Sequence, residues 1–211
     1  VSRADVGPDG WWQPAIRYDS PHADCRPDPA DITLLVIHNI SLPGGCFGGP
    51  HVSDLFTARL DYNTDPSFAD LRGLKVSSHF FIRRDGRVMQ YVSANERAWH
   101  AGLSSFRGRE KCNDYSIGVE LEGTDCSGFE PAQYQALAEL TVALQMRYPL
   151  TDVQGHEHIA PGRKTDPGPL FDWEKYRESW ERLLNRKALD QPALVGASAE
   201  LRFAKGLPQS Q

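Results

Sequence analysis

The sequence predicts an α/β fold: a single domain with a central mixed β-sheet flanked by helices, loop-rich insertions and an irregular N-terminal arm. Three observations carry that prediction. The run Ile32-Thr33-Leu34-Leu35-Val36-Ile37 is almost wholly apolar and rich in β-branched residues, as a strand buried on both faces should be. Residues 79–83 and 88–92 flank Asp85-Gly86, a strong short-range hairpin signal. Two later stretches, opening at Pro131 and at Asp172, repeat apolar residues at three- and four-residue steps, the period of helices laid on a sheet.

In chain order, residues 1–30 are rich in Pro, Asp and Gly and read as an arm pinned by Trp11, Trp12 and Ile16. The strand 32–37 follows and delivers His38 and Asn39 at its C-terminal end. Ser41–Pro50 holds four glycines and two prolines and is a loop; no Gly-Lys-Ser/Thr follows, so a phosphate-cradling P-loop is not supported. Residues 51–60 suit a short helix with Val52, Leu55, Phe56 and Leu60 on one side. After the hairpin, Ile117–Leu121 alternates as a third main strand. Pro131 opens a helix that keeps Tyr134, Leu137, Thr141 and Leu144 in register. The last helix aligns Trp173, Tyr176, Trp180, Leu183 and Leu184. The domain is expected to span 1–186, with 187–211 as a flexible tail.

At 211 residues the chain suffices for one domain with a real core and is thin for two. A formal net charge of −5 gives no general attraction to nucleic acid or to an anionic membrane. No apolar run reaches 18 residues, and the first ten residues lack a signal-peptide pattern. The four cysteines, Cys25, Cys46, Cys112 and Cys126, show no CxxC spacing and are expected to be reduced thiols. A cytoplasmic monomer is the expectation.

Chemistry concentrates in two places. His38 follows a buried strand, where α/β sheets open toward ligands; a satisfied core histidine is the alternative. The second place is Gly155–Pro169, with His156, His158, Lys164 and Asp166 held among prolines and glycines. Such punctuation fixes a loop's shape, which a metal site requires. A polar surface loop with a Lys164–Asp166 ion pair fits the same residues.

Five blocks in unbroken order narrow the choice: Val36-Ile37-His38-Asn39-Ile40-Ser41, Arg83-Arg84-Asp85-Gly86, Ala98-Trp99-His100-Ala101-Gly102, Asn113 to Thr124, and Lys164-Thr165-Asp166-Pro167-Gly168. Together, over residues 11 to 180, they resemble the AmpD-type N-acetylmuramoyl-L-alanine amidases. The resemblance implies a zinc ion held by His38, His156 and Asp166, with His158 as a surface residue. Asp166, where secreted relatives commonly carry cysteine, points to the AmpD branch. It also implies Glu120 as the catalytic acid/base and Lys164 as the cation that stabilises the developing oxyanion. Glu122 stands two residues from Glu120, on the same strand face, and competes with it. Asn39, Trp99 and Ala160 fall where the family lines its groove, although Trp99 suits a core position equally. Lys75 and Lys111 stand where relatives carry arginines that grip peptide carboxylates; lysine keeps the charge and loses the bidentate fork. His100 is a family feature whose plain reading is packing beside the site. The implied reaction is hydrolysis of the amide joining the lactyl group of (1,6-anhydro)-N-acetylmuramic acid to L-alanine in cytoplasmic peptidoglycan recycling, with a muropeptide as the partner molecule; an exported amidase acting on polymeric peptidoglycan and a non-catalytic muropeptide-binding module are the alternatives.

Overall fold

The structure, a computed structural model, describes residues 5–190 and 200–206. Its central sheet has seven strands, numbered here in chain order: β1 (Ile16–Arg17), β2 (Leu34–Ile40), β3 (Phe80–Ile82), β4 (Val88–Gln90), β5 (Ser116–Glu122), β6 (Asp152–Gly155) and β7 (Arg202–Phe203). Their spatial order is β1-β4-β3-β5-β2-β6-β7, and only the β3–β4 hairpin pairs antiparallel. The helices are α1 (His51–Phe56), α2 (Pro131–Arg147), α3 (His156–Ile159) and α4 (Trp173–Asp190).

Alternation along the central strands sorts residues between the two faces. Leu35 and Ile37 of β2, and Ile117, Val119 and Leu121 of β5, enter the main core with Leu137, Leu140 and Leu144 of α2 and Tyr176 and Trp180 of α4. Leu34, Val36 and His38 therefore face the other way, as do Gly118, Glu120 and Glu122. Leu34 and Val36 pack there with Ala101, Cys112, Tyr115 and Ile159, and Phe81 packs there with α1 and Phe68. Strand β2 starts two residues later than its apolar run and continues past His38 to Ile40, because β5 supplies a parallel partner as far as Glu122.

The helices follow their sequence signals. Pro131 occupies the first turn of α2, where its missing N–H costs nothing. Asp172 Oδ1 accepts the Lys175 N–H at 2.9 Å and caps α4. Helix α1 stops at Phe56, and Ala58 takes φ 57°, so Leu60 reaches its cluster from an irregular segment.

Two expectations are corrected at the ends of the chain. The arm contributes edge strand β1, which pairs with Met89 and Gln90 of β4; Trp12 is buried, whereas Ile16 is 47% exposed. The sequence offers no sign of β1, because two residues carry no period. Beyond residue 187, α4 runs on to Asp190, and Arg202–Phe203 close the opposite edge of the sheet as β7. The remainder of the expected tail lies outside the described residues.

Candidate active site

Strand register builds the first half of the site. His38 of β2 and Glu120 of β5 are direct partners in the parallel ladder, so their side chains leave the same face one strand spacing apart. Gly155 of β6 is the partner of Ile37, which brings the next residue, His156, level with His38. Asp166 arrives from the loop after α3, where its carbonyl accepts the Glu157 N–H at 2.9 Å.

The convergence is close. His38 Nδ1 lies 3.0 Å from His156 Nδ1 and 2.9 Å from Asp166 Oδ2, and His156 Nδ1 lies 3.1 Å from that same oxygen. Among the described residues, these three alone form a group able to hold a metal ion. The distal nitrogens show how the triangle is set. His156 Nε2–H donates to the carbonyl oxygen of Ala101 at 3.0 Å, and a carbonyl only accepts, so Nδ1 keeps its lone pair. His38 Nε2 lies 2.9 Å from His100 Nδ1, and His100 Nε2 lies 3.2 Å from Ser116 Oγ. Run outward, with His38 donating to His100 and His100 to Ser116, this chain frees the Nδ1 lone pair of His38 too. Two lone pairs and a carboxylate oxygen then meet at one point, an arrangement suited to a metal cation.

Electrostatics agree. Burial holds the His38 imidazole well below its ordinary range, at about 4, with a further push from His156. Burial by itself would raise Asp166, but its close contacts with His156 and His38 outweigh it and keep the carboxyl below the usual carboxylate range. The donors are thus a neutral imidazole and an ionised carboxylate at neutral pH.

The two candidate glutamates separate by their contacts. Glu122 is spent on structure: Oε1 accepts the Gly48 N–H at 2.5 Å, and Oε2 accepts the Arg84 N–H at 3.1 Å. Glu120 is buried, and its Oε2 has no partner. Burial, then the negative charge of Asp166, pushes its carboxyl well above the ordinary value, while Lys164 pulls it down. Lys164 is itself exposed; its N–H donates to Ala160 O at 3.0 Å, and its charge bears on both Glu120 and His38.

The expected substrate contacts scatter more widely. Lys111 and Ala160 line a groove of about 440 Å³ with Gly102, Leu103 and Arg163; Lys75 is exposed and does not line it. Asn39 spends both amide protons, on Asp125 Oδ1 at 2.7 Å and Pro167 O at 3.0 Å, which leaves its Oδ1 as the polar atom for a ligand. Trp99 is half-buried, with one face stacked on His22 at 5.8 Å and its side chain beside the Asp24 carboxylate. A larger cleft, about 800 Å³ between α4 and β7, touches none of these residues.

Three residues have roles that sequence reasoning did not assign. His100 carries the hydrogen-bond chain from His38, and its ring fits only because residue 118 is glycine: a Cβ there would sit 2.5 Å from His100 Cγ. Arg163 donates to Ala101 O at 2.7 Å and Leu103 O at 2.5 Å, holding the loop that accepts from His156. His158, expected on the surface, is half-buried and hydrogen-bonded at both nitrogens. The motif Trp99-His100-Ala101-Gly102 placed His100 beside the site, where it lies, but carried no sign of its hydrogen-bond chain.

Comparison with known proteins gives this geometry its class. Residues 28–169 match the family described as N-acetylmuramoyl-L-alanine amidase. The chain belongs to that family and is such an amidase. Within the family it is of the AmpD type, an anhydromuramyl-L-alanine amidase. It is 57% identical over 171 residues to the 1,6-anhydro-N-acetylmuramyl-L-alanine amidase AmpD of Citrobacter freundii, covering 80% of this chain and 91% of that protein. A crystal structure of a selenomethionine AmpD derivative matches with a TM-score of 0.79 at 55% identity, over 81% of this chain and 97% of the other. The amidase AmiD of Escherichia coli, in complex with the substrate anhydro-N-acetylmuramic acid-L-Ala-D-gamma-Glu-L-Lys, matches with a TM-score of 0.52 at 31% identity, over 84% and 66%.

Proposed function

We propose that this amidase is zinc-dependent and hydrolyses the bond between the lactyl group of 1,6-anhydro-N-acetylmuramic acid and the L-alanine of the stem peptide, in cytoplasmic peptidoglycan recycling. The observation that carries the proposal is the triangle of His38, His156 and Asp166 donor atoms on the sheet face that also bears the unpartnered Glu120 oxygen. Two imidazoles and one carboxylate are the donor set of a catalytic zinc site that keeps its fourth position open. Zinc held there supplies Lewis acidity toward the scissile carbonyl and acidifies water at neutral pH.

The chain's own groups do the rest. Glu120, held above the ordinary carboxyl range by burial, takes a proton from the attacking water and returns one to the leaving alanine nitrogen. Lys164, whose charge reaches both Glu120 and His38, faces the oxygen that becomes negative as the carbonyl turns tetrahedral. Asn39 Oδ1 accepts an N–H of the substrate, because both its protons are engaged. Trp99, fixed by His22 and Asp24, offers a rigid apolar edge to the sugar or lactyl group. Lys111, with Ala160 beside it, attracts the carboxylates of the stem peptide, and Lys75 is a further exposed cation for them.

The likeness to AmpD enzymes supports the recycling substrate, and four unpaired cysteines suit a reducing compartment. The experiment is mass spectrometry of 1,6-anhydro-N-acetylmuramyl tripeptide incubated with purified protein, with and without a chelator. Free sugar and free tripeptide, lost on chelation and restored by zinc, are expected. Intact substrate with zinc-loaded protein, alongside cleavage of polymeric peptidoglycan, would overturn the recycling assignment.

A further inference from the structure

We infer that the C-terminal strand β7 is a positioning element of the metal site, acting on His156 through His158. The inference rests on the metal reading above and concerns how firmly that site is held.

His158 lies two residues beyond His156 on α3, and neither of its nitrogens is available to the triad. Nδ1 accepts the N–H of Gly155 at 2.9 Å, and Nε2–H donates to the carbonyl oxygen of Lys205 at 3.0 Å. The ring packs edge-on against Trp173 at 5.5 Å. One end of this bridge is therefore the residue directly before a metal ligand, and the other is the extension of β7. Gly155 is confined on two sides: a Cβ there would lie 2.7 Å from Pro167 Cδ and 2.9 Å from His158 Nδ1. Pro167 directly follows Asp166. The peptide that aims His156 is thus set by the neighbour of one ligand and by a ring anchored on β7.

β7 is well fastened at its own end. Arg202 and Phe203 pair with Asp152 and Val153 of β6, and the Ala204 N–H donates to Val153 O at 2.9 Å. The buried Asp152 carboxylate accepts from Arg202 at 2.7 and 3.0 Å and pairs with Arg107 at 3.0 Å. Phe203 packs on Tyr176 and Trp180 of α4. All these residues of β7 lie beyond the 28–169 segment that matches the family. The segment that steadies His156 here is therefore one the family match does not contain.

Groups that orient metal ligands typically alter metal affinity by about 10–100-fold when removed. His158 acts one step further out, through the backbone of Gly155, so the expected loss is about 10-fold. The experiment measures zinc affinity of the full chain by competition with a chromophoric chelator, together with hydrogen exchange across residues 201–206. Three proteins are compared: the unaltered chain, His158→Phe and Ala204→Pro. Phenylalanine keeps the contact with Trp173 and removes both hydrogen bonds. Proline at 204 deletes the N–H that pairs with Val153 and touches no residue of the site. Zinc binding about 10-fold weaker in both, with faster exchange at 201–206, is expected; a merely structural role would lower thermal stability without changing zinc affinity in the folded protein. Unchanged affinity in His158→Phe overturns the inference. A loss in His158→Phe with unaltered affinity in Ala204→Pro overturns the part assigned to the strand. If the unaltered chain binds no zinc, the metal reading itself fails, an outcome read from that protein alone.

Discussion

Replacing Gly118 by alanine should damage the proposed zinc site from behind. Gly118 is not among the residues with positive φ, so the backbone accepts alanine without strain and the effect is purely steric. The added Cβ would lie 2.5 Å from Cγ, 2.7 Å from Nδ1 and 2.8 Å from Cδ2 of His100. Restoring ordinary contact, about 3.5 Å, moves the ring by roughly 1 Å. The His38 Nε2–His100 Nδ1 separation, now 2.9 Å, then passes beyond hydrogen-bonding range. Overpacking of this kind costs about 1–3 kcal/mol, or roughly 2–4 °C in Tm per kcal/mol for a chain of this size. Loss of the group that orients His38 should weaken zinc binding about 10–100-fold. Chelator competition and thermal unfolding of the metal-free protein measure the two effects. The control is the same substitution in a His100→Ala background, where the clash has been removed. There it should cost little stability, so fully additive costs would refute the steric argument, as would unaltered zinc affinity in the single variant.

Glu120→Gln should retain zinc and lose about 10²–10⁴-fold in kcat; activity within threefold of the unaltered enzyme would remove Glu120 from the proton transfer. Lys164→Ala should lower kcat by about 10²–10³-fold with little change in metal content, read by steady-state kinetics and metal analysis. Burial, then the Arg26 charge, depresses His79 to about 3, so between pH 6.5 and 3 the unfolded chain binds a proton that the folded one does not. Stability contributed by a neutral His79 is therefore present above pH 6.5 and falls as pH drops through that window, by about 2 kcal/mol between pH 7 and pH 5. Urea unfolding at the two pH values should show a smaller loss for His79→Gln, and equal losses would contradict the assignment.

The sequence carried those parts of the molecule whose signals are local. The apolar run before His38, the Asp85-Gly86 hairpin, the alternation of 117–121 and the periodic helices after Pro131 and Asp172 all report their own backbone state, and each stands close to where it was expected. The triad was legible through motif resemblance, and the geometry brings its three donors together. Contacts between distant segments were not legible. Glu120 and Glu122 share a strand face, so parity cannot separate them; only the Gly48 and Arg84 N–H groups, 74 and 38 residues away from Glu122, show which is occupied. His100 meets His38 across 62 residues, and Lys205 meets His158 across 47. The edge strands β1 and β7 are two residues long, too short for any period, and exist because a neighbouring strand offers unpaired backbone.

The parallel ladder of β5, β2 and β6 has a consequence for how this enzyme can diversify. Glu120, His38 and the approach to His156 are indexed by consecutive main-chain hydrogen bonds, so their relative placement does not depend on which side chains occupy the surrounding loops. The residues expected to meet the peptide, Lys75 and Lys111, sit instead on connecting segments at exposed positions. On the proposed assignment, Glu120, His38 and the approach to His156 are written in sheet register, whereas the two lysines expected to meet the peptide, like Lys164 and Asp166, are written in loop sequence. Selection can rewrite the loops of the two lysines while the sheet register stays in frame, and a library confined to residues 72–76 and 103–111 should yield changes in peptide preference without loss of the metal.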